Sequence, residues 1–329
     1  MSSPSMSPTM LAVVLTRFGA PDALELARVP RPQVLPGEVL VRVHAAGVNP
    51  VDWKTREGAP TPAAQSLGTA PHILGWDISG VVEAIGGGVH RFAVGDEVFG
   101  MPWFPRPAGG YAEYLTAPAR QLALKPRSWS HEEAAAVPLA GLTALHALTE
   151  IAEIVPGQRV LIHAAGGGVG HLAVQIAASL GATVIGTARS AKHPWLKSLG
   201  ADELVDYTVE RFEEVAGQVD AVLDLVGGAD PSTAMRSVEI IRPGGIYVPV
   251  APGTPASLGA TAADRGVRVA PSLLVDPDGH GLELLASMAD AHQLSVNVEE
   301  VFPLADAADA HRRGETNAVA GKLVLRVRG

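Results

Sequence analysis

The sequence predicts an α/β protein in which a doubly wound, mostly parallel sheet is joined to a small β-barrel. Two observations carry this. Residues 10–125 hold short runs rich in Val, Ile, Leu and Thr, broken by Pro and Gly turns, the pattern of a small barrel. From about residue 131 strands alternate with helical patterns, which is how an open α/β sheet with crossover helices reads. The first of those later strands feeds a glycine-rich stretch, "AAGGGVGHLAVQIA" (Ala164–Ala177), that runs directly into a helical pattern.

Taken in order, the barrel strands are "LAVVLTRF", "EVLVRVHAAGV", "ISGVVEAIG" and "AEYLTAP", separated by turns such as "RPQVLPGE" and "FAVGDE". Ser130 then stands three residues before Glu133, the spacing of a capping box at a helix start. The parallel strands follow as "RVLIHA" (159–164), "TVIGTA" (183–188), "ELVDY" (203–207), "AVLDLV" (221–226), "GIYVPV" (245–250) and "VRVAPSLL" (267–274). After residue 275 come a helix ("GLELLASMADAH"), a strand ("VNVEEVFPL"), a short helix ("DAADAHRR") and a last strand ("GKLVLRV"). The expected division is 1–130, 131–274 and 275–329, with the tail returning to the first domain.

Composition narrows the function. A chain of 329 residues is long enough for about two domains. It carries 25 basic against 34 acidic residues, a net charge of −9. The densest basic clusters are only Arg312-Arg313 and the pair Arg326 and Arg328, so neither nucleic acid nor an anionic membrane is an expected partner. There is no cysteine, which removes disulfides, thiolate metal ligands and a cysteine nucleophile and fits a cytoplasmic protein. The opening "MSSPSMSPTM" has no basic residue and no apolar run, so it reads as a loose leader and not a secretory signal. The longest apolar stretch, Ala134–Leu148, contains Pro138 and His146 and falls short of the roughly 20 residues of a membrane span.

The glycine stretch has a physical reading. Ala173, Ile176, Ala177 and Leu180 share one helical face. The spacing Ala165-x-Gly167-x-x-Gly170 is a variant of the dinucleotide fingerprint, and it stands between strand and helix as that fingerprint requires. Gly167 lets backbone N–H groups approach a pyrophosphate, Gly170 lets helix and strand pack closely, and the helix N-terminus faces the phosphates. Ala165, Gly166, Gly167, Gly168, Val169 and Gly170 are therefore the expected cradle, the alternative being a helix-starting turn with no ligand. The next strand ends "TVIGTARSAKH" with no acid to hold a ribose 2′-hydroxyl. It offers Thr187, Arg189, Ser190 and Lys192 instead, which suit a 2′-phosphate. NADPH is the cofactor expected.

With those residues, "AAGVNPVDWKTREG", "PHILGWDISGVVEAIG", "GGYAEYL", "AAVPLAGLTALHAL", "VLDLVGG", "IRPGGIYV" and "GKLVLRV", the chain resembles the medium-chain dehydrogenase/reductase superfamily. It looks most like the zinc-free, zeta-crystallin-like quinone oxidoreductase branch. The resemblance implies a Rossmann domain set into a GroES-like catalytic domain, nicotinamide in a cleft between them, and a homodimer joined by Rossmann sheet edges. Where zinc-dependent relatives carry zinc ligands, this chain has Asn49, Trp76 and Leu139, none of them a usual ligand, so no metal is expected. The resemblance also implies cofactor contacts at Thr143, Tyr207, Val226, Val250, Ala251, Leu273, Asn317 and Lys322. For Thr143 the alternative is helix back-bonding, and for Tyr207 a buried strand-end aromatic.

Without a Lewis acid a simple ketone is hard to polarise. A quinone or an α,β-unsaturated carbonyl needs only orientation and hydrogen bonds where charge develops. The expected function is therefore NADPH-dependent hydride transfer to such an acceptor. A polyketide-type enoyl reductase and a non-catalytic NADPH-binding or sensing protein are the alternatives. Candidate catalytic residues are Asn49, which either donates to the acceptor carbonyl or braces its own turn, Asp52, which better suits holding the loop, and Lys54, which either meets a developing oxyanion or is a solvated surface cation. Trp53, Trp103 and Phe104 are the candidate acceptor pocket, although Trp103 and Phe104 equally suit packing a loop. His44 and His163 read as strand residues with packing roles.

Overall fold

A computed structural model of the chain describes residues 8–328; the leader reading of residues 1–7 lies outside them. The chain forms two compact units. One comprises the residues up to Leu139, Asp276–His292 and those from Val296 on; the other comprises Ala140–Val275 with Gln293–Ser295.

The first unit begins with β1 (Thr9–Leu15), β2 (Leu24–Pro30), β3 (Glu38–Val48), β4 (His72–Ile73), β5 (Ile78–Ile85), β6 (Glu97–Gly100), β7 (Tyr114–Pro118) and β8 (Leu122–Leu124). Alternation along β3 turns Val39, Val41 and Val43 fully into the core, where Ile78, Val82, Leu115 and Leu122 meet them. The helix Pro50–Glu57 follows β3 and opens with Pro at its first turn, a position where the missing N–H costs nothing. The helix His131–Ala135 begins at the Ser130–Glu133 box, with Glu133 N–H donating to Ser130 Oγ at 3.1 Å and Ser130 N–H to Glu133 Oε2 at 2.8 Å. This helix packs on β3 and β5, so the boundary expected at residue 130 falls later, at Leu139.

The second unit is a six-stranded parallel sheet made of β9 (Arg159–Ile162), β10 (Thr183–Thr187), β11 (Glu203–Val205), β12 (Val219–Asp224), β13 (Ile241–Pro249) and β14 (Arg268–Val269). The order is β11-β10-β9-β12-β13-β14. It reverses between β9 and β12, the place where open α/β sheets bind ligands beyond the strand ends. The core is Leu161, Ile185, Val205, Val222 and Tyr247 with the helix residues Ala234 and Val238. Two strands differ most from the sequence reading, the others of this sheet by one or two residues at one or both ends. β13 starts earlier, at Ile241, and β14 stops at Val269, because Pro271 just beyond has no N–H to continue a ladder.

The tail returns to the first unit. β15 (Val298–Pro303) and β16 (Lys322–Arg326) are parallel neighbours, and β16 runs antiparallel to β3 with Leu323 opposite Val48. That register sets Lys322 beside Asn49.

Candidate functional site

In the second unit the loops after β9, β10, β12 and β13 gather at the C-terminal edge of the sheet around the reversal point. Ala164 adopts a left-handed φ of 49°, and Gly167 N–H closes the turn onto Ala164 O at 2.9 Å. The helix Gly170–Ser179 starts at once. No side chain caps it, so its first turn presents backbone donors. A Cβ on Gly170 would lie 2.4 Å from Ala164 O and 2.7 Å from Ala165 Cα, so only glycine allows the helix to begin against the turn. The apolar face expected at Ala173, Ile176 and Ala177 is part of a wider burial: Gly170 to Ala177 are all inside. Gln175 and His171 satisfy themselves there, Gln175 on His171 O and Ser295 O at 2.9 Å each and His171 Nδ1 against Gly167 O at 2.8 Å.

The candidates after β10 divide. Thr187 is buried, and its hydroxyl accepts from Ala164 N–H at 3.2 Å and meets His163 Nδ1 at 3.2 Å. Its hydroxyl ties the ends of β9 and β10. Arg189 is exposed, its Nε donating to Tyr207 Oη at 3.3 Å. Tyr207 is 51% exposed and not a buried strand-end ring. Ser190 N–H is taken by Asp206 Oδ2 at 2.9 Å; bonds from Thr208 and Ser190 hold the Asp206 carboxyl well below the usual range. Lys192 reaches over the turn, Nζ donating to Gly166 O at 3.1 Å. Arg189, Lys192 and Tyr207 thus stand together beside the glycines.

Val226, Val250 and Ala251 are drawn together by a residue absent from the sequence reading. Asp224, fully buried, accepts Val226 N–H at 2.8 Å and Gly227 N–H at 3.1 Å on Oδ1 and the Tyr247 hydroxyl on Oδ2. Its carbonyl accepts the N–H groups of Val250 and Ala251 at 3.0 and 3.1 Å. One residue, its carboxylate on one loop and its backbone carbonyl on the other, therefore sets both loops beside the reversal point. The signal was a lone acid inside the apolar run "AVLDLV", since a buried acid is rare without partners. Leu273 N–H meets Pro249 O at 3.5 Å. Thr143 is buried in the helix Pro138–His146. His163 is buried against Ser237 Oγ at 2.9 Å, and burial brings its imidazole down to about 4.

In the first unit the candidate catalytic residues lie in a buried polar cluster. Asn49 is 1% exposed. Its Nδ2 donates to Asp77 Oδ2 at 2.9 Å and its Oδ1 accepts from Lys322 Nζ. Asn49 N–H donates to Asp52 Oδ2 at 2.7 Å. Both Asn49 and Asp52 therefore brace the start of the helix Pro50–Glu57, as the second of the two readings of Asn49 has it. Burial raises Asp52 to about 7 and Asp77 to about 6, and it lowers Lys322 despite the two carboxylates facing it. Lys322 also donates to Val48 O at 3.2 Å, so its ammonium ties β16 to the start of the helix Pro50–Glu57. Asn317, at φ 53°, takes the left-handed position after the helix Ala307–Glu315 and acts as a helix stop. Lys54 is half-buried on the helix Pro50–Glu57.

The candidate acceptor-pocket residues each make contacts within the first unit. Trp53 lies against Gly314, where a Cβ would come within 2.7 Å of its ring, and edge-on to His311 at 6.4 Å. Trp103 Nε1 donates to Thr116 O at 2.8 Å. Phe104 is edge-on to Trp76 at 5.5 Å. All three pack within the unit. At the positions where zinc relatives carry ligands, Asn49 is bound as above, Trp76 Nε1 donates to Arg106 O at 2.7 Å and Leu139 N–H donates to Asp77 Oδ1 at 2.8 Å. Among the described residues, no group of three or more His, Asp or Glu is placed to hold a metal, and no helix is long and apolar enough to cross a membrane.

A parallel sheet in this order, with a glycine turn at its reversal point, defines a dinucleotide-binding unit. Residues 35–127 match a family described as the alcohol dehydrogenase GroES-like domain, and residues 199–325 one described as zinc-binding dehydrogenase. An NADPH-dependent alkenal/one oxidoreductase of Arabidopsis thaliana is 33% identical over 98% of this chain and 80% of its own. The quinone oxidoreductase of Coxiella burnetii superposes with a TM-score of 0.90 at 38% identity, covering 97% of this chain and all of that one, 100%. A mycobacterial protein complexed with NADPH superposes at 0.83 with 31% identity, covering 97% and 100%. The chain belongs to the medium-chain dehydrogenase/reductase superfamily, in its quinone oxidoreductase branch.

Proposed function

We propose that the chain is an NADPH-dependent reductase acting on quinones or α,β-unsaturated carbonyls. One observation carries the reading: the uncapped helix start at Gly170, where a side chain would strike the turn, with Arg189, Lys192 and Tyr207 beside it. The relatives named for alkenal/one and quinone reduction support the acceptor class. Gly166 to Gly170 would receive the pyrophosphate, and Arg189, Lys192 and Tyr207 the 2′-phosphate. Val226, Val250, Ala251 and Leu273 would pass the nicotinamide edge, positioned by Asp224, while Thr143 would lie beside the ring. NADPH supplies the hydride. Lys54 is the candidate cation for negative charge growing on the acceptor oxygen, and Asn49, Asp52 and Lys322 keep its helix in place.

Asn49, Trp76 and Leu139 are each committed to protein partners, which supports a reaction that needs no protein-bound Lewis acid. Conjugated acceptors fit, because hydride addition gives a delocalised anion that hydrogen bonds can stabilise. The test is NADPH oxidation by a panel of quinones and enones in metal-free buffer. Turnover that persists with a chelator is expected; no turnover with any acceptor, or its loss on chelation, overturns the reading. A homodimer belongs to the same proposal and is checked by sedimentation equilibrium. The cysteine-free composition supports a cytoplasmic location.

A further inference from the structure

The glycine turn begins at a strained residue with a built support behind it. Ala164 holds φ 49°, a left-handed conformation that a residue with a Cβ keeps only where its surroundings hold it there. Its carbonyl accepts Gly167 N–H at 2.9 Å, so the direction of the Ala164 peptide sets where the glycines lie. Its N–H donates to Thr187 Oγ1 at 3.2 Å. Behind Thr187 stand His163 and then Ser237, all three buried. Thr187 Oγ1 lies 3.2 Å from His163 Nδ1, and His163 Nε2 lies 2.9 Å from Ser237 Oγ.

Each bond in this file has one possible direction. Ser237 donates its single proton to Thr233 O at 2.7 Å, and a carbonyl only accepts. Ser237 Oγ therefore accepts from His163, which puts a proton on Nε2. Burial keeps the imidazole neutral, bringing it down to about 4, so Nδ1 is bare and accepts from the Thr187 hydroxyl. With that proton spent, Thr187 Oγ1 turns a lone pair to Ala164 N–H. The other tautomer would set a bare Nε2 against a serine oxygen with no proton left to give. Phe212 meets the imidazole edge-to-face at 4.6 Å, and His163 N–H donates to Leu223 O at 3.0 Å, so both ring and backbone are held.

We propose that Ser237 and His163, acting through Thr187, hold Ala164 in its left-handed conformation and so position the glycine turn for the cofactor pyrophosphate. His163 does this as the Nε2–H tautomer. Ser237, on the helix Pro231–Ile240, is two side chains removed from the turn, and both it and His163 are positioning residues. The inference rests on the reading above that NADPH lies on this turn.

The first test is nitrogen-15 NMR of the cofactor-free chain labelled at histidine, with the His163 ring assigned by its nuclear Overhauser contacts to Phe212. A proton on Nε2 is expected; a proton on Nδ1 overturns the file. The second is calorimetric titration of NADPH into Ser237→Ala, Thr187→Val and Thr187→Ser, with thermal melting to confirm that each is folded. Ser237→Ala unties the tautomer and should weaken the NADPH Kd about fivefold, the effect of one neutral hydrogen bond. Thr187→Val also leaves Ala164 N–H unpaired and should weaken it about tenfold or more, whereas Thr187→Ser keeps the hydroxyl and should restore it. An unchanged Kd in a folded Ser237→Ala overturns the file even if Thr187→Val binds poorly, because a Thr187 that merely touched phosphate would need nothing from Ser237. Neither readout needs turnover. Both met without reduction of any acceptor overturns only the reductase reading, and an unmodified chain that binds no NADPH overturns both.

Discussion

Gly167→Ala separates the cradle from the fold around it. A Cβ on Gly167 would meet only Ala164 O, at 3.2 Å, and Gly167 is not among the glycines with left-handed φ. The neighbour needs to give by only a few tenths of an ångström, so the fold should lose at most about 0.5 kcal/mol. A pyrophosphate on the turn would meet that methyl group directly. Overpacking of this kind costs about 1–3 kcal/mol, which converts to a roughly 5- to 150-fold weaker NADPH Kd. Gly170→Ala is the contrast. Its Cβ at 2.4 Å from Ala164 O and 2.7 Å from Ala165 O strikes backbone, so it should lower stability by about 1–3 kcal/mol as well. The assay is calorimetric titration of NADPH into both variants, with thermal melting of the cofactor-free proteins. An unchanged Kd in a normally stable Gly167→Ala would refute the cradle.

Three further outcomes follow from the same geometry. Arg189→Ala, which removes an exposed cation beside Tyr207, should raise the KM for NADPH about tenfold while leaving that for NADH unchanged; equal changes for both contradict a 2′-phosphate contact. Asp224→Ala removes three accepted hydrogen bonds and should destabilise by about 3 kcal/mol or more, at about 1.5–3 kcal/mol for each bond to a charged group, seen in denaturant unfolding. Asp52 and Asp77 hold protons to about 7 and about 6 in the folded chain, against about 3.9 when unfolded. The folded state therefore binds more protons between those values, and stability should fall as pH rises from about 4 through about 7. Asp52→Asn should flatten that slope in urea titrations at successive pH values, and an unchanged slope would contradict the raised carboxyl.

What the sequence revealed was local, and what it concealed was mostly long-range. The Ser130–Glu133 box needs only neighbours, and both of its hydrogen bonds form. The parallel strands were legible because each is a short apolar run bounded by turns. The helix Pro50–Glu57 was passed over within a loop, although Asn49-Pro50 is an ordinary helix start. Asp224 gave a weak sign, an acid in an apolar strand, but its partner Tyr247 is 23 residues away. Lys322 was legible only as a cofactor contact implied by the resemblance, and its pairing with Asn49 spans 273 residues. That pairing depends on the register of β16 on β3, which no local pattern encodes. For Trp103 and Phe104 the sequence left pocket wall and loop packing open, because aromatic residues serve both purposes, and their contacts with Thr116 and Trp76 supply the packing.

The central claim is hydride delivery from NADPH to the conjugated carbon of an acceptor, and isotope transfer tests it most directly. With NADPH carrying deuterium at nicotinamide C4 and a simple enone as acceptor in metal-free buffer, the product is examined by NMR. The account predicts deuterium on the β-carbon, with the carbonyl intact and the α-hydrogen drawn from solvent. Deuterium on the carbonyl carbon, giving an allylic alcohol, would contradict it.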